Sequence, residues 1–116
     1  MESKAKTRFC GMLGFAMRAG KVTIGTELIC ASLSKSGAKR PRLVIVSSSA
    51  SEGTKKKICT KCEYYGVDVI ETSVDGESLG HLLGKLYAPA AVAIVDDRFA
   101  EELKLSSAAM AEDGEV

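Results

Sequence analysis

The residues able to do chemistry fall in four places, and each makes its own demand on the structure around it. Cys59 and Cys62 form a C-x-x-C, the spacing of a dithiol redox pair or of half a zinc site. A redox pair works at a helix N-terminus, where the dipole lowers a thiol pKa. Here both cysteines fall after the first turn of a predicted helix. Zinc needs a second pair of ligands, and His81, Cys10 and Cys30 lie on separate predicted segments without close ligand spacing. His81 is the sole histidine and has no Ser or Cys nucleophile beside it. G-x-S-x-G, P-loop and G-x-G-x-x-G patterns do not occur. An enzyme is therefore not expected, nor a metal or cofactor.

The other two places are suited to binding a polyanion. In KVTIGTELIC, Lys21 to Cys30, a short strand over Val22 to Ile24 runs into Gly25 and then a helix opening at Thr26. Glycine can take positive φ there, Thr26 is expected to cap the helix, and the first-turn N–H groups face outward. Such a helix start accepts a phosphate or the acceptor edge of a base, with Lys21 as a nearby cation. The second place is Lys55, Lys56 and Lys57 at the start of a helix that follows a strand. The structural alternatives are an ordinary strand-to-helix turn and a solvated charged face.

Net charge is only +1, but it is unevenly spread. Residues 1–61 hold 13 Lys and Arg against 3 Asp and Glu, whereas residues 62–116 hold 3 against 12. Such asymmetry points to a basic face that meets polyanions, provided the halves do not neutralise one another in the fold. No apolar run approaches the roughly 20 residues that span a bilayer. MESKAKTRFCG lacks the apolar core of a secretory signal, so a cytoplasmic location with reduced thiols is expected.

The elements that must position these residues follow from periodicity. Phe9, Met12, Leu13 and Ala16 mark a helix from Ser3 to Ala19 stopped by Gly20, and Leu28, Ile29 and Leu33 a second, ending near Ser36 with Gly37 as cap. After the basic linker KSGAKRPR, Leu43 to Val46 reads as a strand covered on both faces. A third helix spans Glu52 to Tyr65 with Ile58, Cys62 and Tyr65 inward. It is followed by the strand in VDVIET, a fourth helix from Asp75 through Leu86, and a strand over Ala91 to Val95. In the fourth helix Gly76, Gly80 and Gly84 recur every four residues, which predicts close packing against a neighbour. A last helix runs from Arg98 to about Leu105. Residues 1–105 then form one domain, and the acidic tail over 106–116 is expected to fray. This alternation argues for an α/β fold with one central sheet and helices on both faces. If the strands run parallel, the loops after them gather at one rim, placing the Gly25 turn beside the Ser47 to Lys57 segment. The basic stretch Lys35 to Arg42 would lie at the other rim.

Three stretches together, LGFAMRAGKVTIGTELICASL, ASEGTKKKICTKCEYYGVDV and ESLGHLLGKLYAPAAVAIVDD, resemble the bacterial YlxQ-type branch of the ribosomal protein L7Ae/L30e superfamily. The resemblance covers roughly Arg8 to Leu103. It implies a three-layer α/β/α sandwich with a central four-stranded mixed sheet. It also implies a non-enzymatic, ribosome-associated RNA-binding protein, often one that binds the kink-turn, a sharply bent internal loop with sheared G·A pairs. By the same resemblance, Gly25, Thr26, Glu27 and Leu28 would read guanine edges and phosphates. The turn Ala88, Pro89, Ala90, Ala91 and Val92 would pack on a flipped-out nucleotide. Kink-turn binders of the family usually carry an Asn or Lys, then a Glu or Gln, and a Lys about one helical turn later, where this chain has Glu27, Leu28 and Ala31. The expected RNA-binding set is thus Lys21, Gly25, Thr26, Glu27, Leu28, Lys55, Lys56, Ala90, Ala91 and Val92, with structured RNA or the ribosome as partner. The alternative is a protein-interaction module on the same fold.

Overall fold

The computed structural model describes residues 4–35, 37 and 39–112. Among these, helices and strands alternate throughout: α1 (Lys4–Arg18), β1 (Val22–Ile24), α2 (Thr26–Leu33), β2 (Leu43–Val46), α3 (Glu52–Tyr65), β3 (Asp68–Glu71), α4 (Gly76–Leu82), β4 (Ala91–Ile94) and α5 (Asp97–Glu112). The strands form one mixed sheet in the order β1-β4-β2-β3. β4 is antiparallel to both neighbours, in register Ile24 with Val92 and Val46 with Ala91, and β2 and β3 are parallel.

Alternation along the strands assigns the layers, because successive side chains point to opposite faces. Leu43, Ile45, Val92 and Ile94 face a core completed by Phe9, Leu13 and Ala16 of α1, Leu79 of α4, and Ala100 and Leu103 of α5. Val44, Val46, Ala91 and Ala93 face the other way, onto Ile29 and Leu33 of α2 and Ile58 and Cys62 of α3. The result is an α/β/α sandwich with α1, α4 and α5 on one face of the four-stranded sheet and α2 and α3 on the other. Each large side chain so buried contributes about 1.5–3 kcal/mol.

Three element ends differ from the sequence expectation. α2 ends at Leu33, with Ser34 as C-cap, so Gly37 belongs to the following loop. α4 stops at Leu82 because the chain turns left-handed at Gly84 (φ 69°), which leaves Leu86 outside the helix and exposed. α5 continues past Leu105 to Glu112 and buries Ser106 and Met110. The expected helix start at Ser3, the expected end near Ser36 and the last four residues of the expected tail lie outside the described residues.

Two glycines of the repeat, Gly76 and Gly80, pack closely, and their partner is a loop, whereas Gly84 lies past the helix end with open space where a Cβ would sit. A methyl on Gly80 would overlap the Tyr87 carbonyl oxygen. One on Gly76 would meet the Pro89 oxygen at 3.0 Å and Ala88 Cβ at 3.2 Å. α4 is thus shaped to hold the turn that feeds β4.

Candidate nucleic-acid interface

Because β1, β2 and β3 share one direction and β4 opposes them, the chain leaves β1, β2 and β3 and enters β4 at a single rim. Hydrogen bonds tie the four connections together there. Gly25 N–H donates to the Ala91 carbonyl (3.3 Å), Ser47 N–H to Ala90 (2.9 Å) and Ser48 N–H to Val74 (3.0 Å). Gly76 N–H donates to Ser49 Oγ at 2.8 Å. Ser49 is a positioning residue the sequence reading passed over. The only signal was its place in a run of small hydroxyl residues, which does not say which of them reaches across.

α2 opens onto this rim. Its N-cap is Gly25 (φ 104°, ψ 136°), and no side chain caps it. The expectation that Thr26 caps the helix is corrected: the reversal is already made at Gly25, in a conformation L-residues rarely adopt, and Thr26 is the first helical residue. The Gly25 carbonyl takes the Ile29 N–H at 3.0 Å, so the N–H groups of Thr26, Glu27 and Leu28 form the uncapped first turn. α3 differs, since Ser51 Oγ accepts from Thr54 N–H at 3.2 Å.

Gly25, Thr26, Glu27, Leu28, Lys55, Lys56 and Ala90 therefore lie together. Leu28 is 63% exposed. Glu27 reaches Lys57 at 3.6 Å, linking the first turns of α2 and α3, and Lys55 pairs with Glu52 at 3.6 Å. Surface pairs of this kind, with both carboxylates open to solvent, hold weakly and yield to a stronger anion. Lys56 is exposed and has no ion-pair partner among the described residues.

Three expected residues are corrected. Lys21 precedes β1 and its carbonyl accepts from Val95 N–H at 3.0 Å, which puts it at the opposite rim. Ala91 and Val92 are fully buried within β4, between β1 and β2, so their side chains cannot touch a ligand. The exposed part of that turn is Leu86 to Ala88, with Ala90 half-buried.

Other potential sites are weaker. Cys62 is buried and Cys59 partly so, and both thiols are pushed above their ordinary value, first by burial. That is the reverse of an activated redox pair. Among the described residues, no three metal-ligating side chains converge. An open cleft of about 1070 Å³ between α1 and α4 sets Asp75 and Glu77 beside His81 and Lys85, a mixture of signs that does not favour a polyanion. No helix among the described residues is long and apolar enough to cross a membrane.

With this arrangement in view, likeness to known proteins is informative. Residues 8–104 match the ribosomal protein L7Ae/L30e/S12e/Gadd45 family, and the chain belongs to that family, whose members related to it are RNA-binding proteins and not enzymes. It is 37% identical over 105 residues to the RNA-binding protein YlxQ of Enterococcus faecium, covering 90% of this chain and 95% of that one. It is 38% identical over 93 residues to the RNA-binding protein YlxQ of Bacillus subtilis (strain 168), covering 79% and 87%. A protein of unknown function from Bacillus halodurans superposes with a TM-score of 0.78 at 28% identity, covering 87% of this chain and 97% of that one. The Giardia lamblia 15.5kD RNA binding protein has the same fold, with a TM-score of 0.71 at 10% identity, covering 97% and 92%.

Proposed function

We propose that this chain is a non-enzymatic, cytoplasmic RNA-binding protein that associates with the ribosome. It docks structured, kink-turn-like RNA on the rim where β1, β2 and β3 end. The observation that carries this reading is the convergence there of the uncapped α2 start at Gly25, the lysines opening α3 and the turn before β4. Bare N–H groups and ammonium groups suit phosphates and base acceptor edges, while the exposed Leu86, Tyr87 and Ala88 of the turn offer apolar surface to a splayed nucleotide. Leu28, exposed in the first turn of α2, offers an apolar contact in place of a hydrogen bond to a base. Affinity then rests on phosphates and falls with salt.

The test is a fluorescence titration of a kink-turn RNA and a plain duplex at two salt concentrations. Tighter binding of the kink-turn, weakened by salt with a log–log slope of about −1.4 to −1.8 for contacts from Lys55 and Lys56, supports the reading. No detectable binding at low salt would overturn it. The ion pairs of Glu27 and Glu52 at the rim favour a second reading, in which the same surface meets a protein, and the failed titration would leave that one standing.

A further inference from the structure

α3 carries a feature that the rim does not use. Lys57, Lys61 and Tyr64 follow at i, i+4 and i+7, which places them in one stripe, and all three are exposed, Tyr64 to 82%. The stripe starts at the rim and runs about 10 Å along the helix axis. Lys61 has no ion-pair partner among the described residues. Carboxylates near the stripe are Glu63, about a hundred degrees round the helix from Tyr64, Glu27, which holds Lys57 weakly at 3.6 Å, and Glu71, whose charge reaches Cys59 on α3.

The far end of the stripe is braced. Tyr65 packs against the core between α2 and α3 and stands edge-on to Tyr64, with ring centroids 4.9 Å apart and planes at 87°. Arg40 Nη2 donates to the Tyr65 carbonyl at 2.6 Å, which fixes the helix end and brings a guanidinium to it. A braced aromatic ring left uncovered beside cations is the combination that binds single-stranded nucleic acid, ammonium groups taking phosphates and the ring taking a base.

We infer that the outer stripe of α3 is a second RNA subsite, in which Lys57 and Lys61 contact phosphates and Tyr64 stacks an unpaired base continuing from the RNA docked at the rim. This rests on the RNA-binding reading above and extends it to a single-stranded flank.

The probes are a blunt kink-turn hairpin, the same hairpin with a tail of about six adenosines at either end, and the free adenosine oligomer, each titrated against the full chain. The expected result is at least about 5-fold tighter binding of one tailed hairpin than of the blunt one. Tyr64→Ala abolishes that advantage without changing affinity for the blunt hairpin, and Tyr64→Phe retains it. Lys61→Gln lowers the salt slope of the tailed hairpin by about 0.7. Unchanged far-ultraviolet circular dichroism verifies that the variants fold. A tail that adds nothing, or an advantage that survives Tyr64→Ala, overturns the subsite while blunt-hairpin binding upholds the rim. Loss of blunt-hairpin binding alone, with Tyr64-dependent binding of the free oligomer, overturns the rim and upholds the subsite. Absence of all binding overturns both.

Discussion

Cys62 lies fully buried between α2 and α3, and burial, with smaller contributions from Cys59 and Cys30, pushes its thiol up to about 11 from an ordinary 9.0. Below pH 9 the thiol is protonated whether the chain is folded or not, and its stabilising contribution is complete. As pH rises from 9 to about 11 the unfolded chain ionises first, so stability falls, by about 2–3 kcal/mol over that window. Denaturant unfolding at several pH values should show a larger loss over this window in the wild type than in Cys62→Ala, in which Cys59, also pushed up, still titrates. Gly80 makes a different residue-scale prediction. A methyl there overlaps the Tyr87 carbonyl, so Gly80→Ala should destabilise the fold by about 1–3 kcal/mol. It should also weaken RNA binding, by shifting the turn before β4. Thermal unfolding and titration read the two effects separately. The sequence revealed that Gly76 and Gly80 mark close packing, because their spacing matches the helix, but not that Gly84 lies beyond it. It could not reveal that the partner is a loop, since that depends on where α4 stops.

At the scale of elements, the interior was largely legible. Leu43 to Val46 is apolar at every position and is buried on both faces, and α3 runs from Glu52 to Tyr65, the span expected from the sequence. The failures cluster at helix ends, where one residue's backbone conformation outweighs periodicity. α5 is longer than its sequence predicts, because SSAA looks like a polar tail. On the helix, however, Leu103, Ser106 and Met110 fall at i, i+3 and i+7 and are all buried. Met110→Ala should therefore cost about 2–4 kcal/mol in chemical denaturation, a penalty no frayed tail would show. Ser106 Oγ is buried with no hydrogen-bond partner among the described residues. Ser106→Ala should accordingly leave stability unchanged or raise it by about 1 kcal/mol, measured the same way.

For the whole molecule, the charge asymmetry resolves into two different surfaces. Basic α1 packs beside acidic α5 on one face of the sheet, so the two halves of the chain offset each other there. On the opposite face α3 keeps Lys55, Lys56, Lys57 and Lys61 against Glu52 and Glu63. That distinction was invisible in the sequence, because it depends on which helices share a layer. The Gly25 turn and the α3 lysines could be expected to meet, since loops after co-directional strands gather at one rim. Lys21 was misplaced because it lies four residues from Gly25 in sequence yet at the other end of β1.

The most direct test is a backbone amide chemical-shift map of the full chain titrated with a blunt kink-turn hairpin. The account predicts shifts concentrated in Gly25 to Leu28, Ser49 to Lys56 and Ala88 to Ala90, with Lys21 and Arg42 at the other rim unmoved. Shifts confined to that other rim, or to the face formed by α1 and α5, would contradict it.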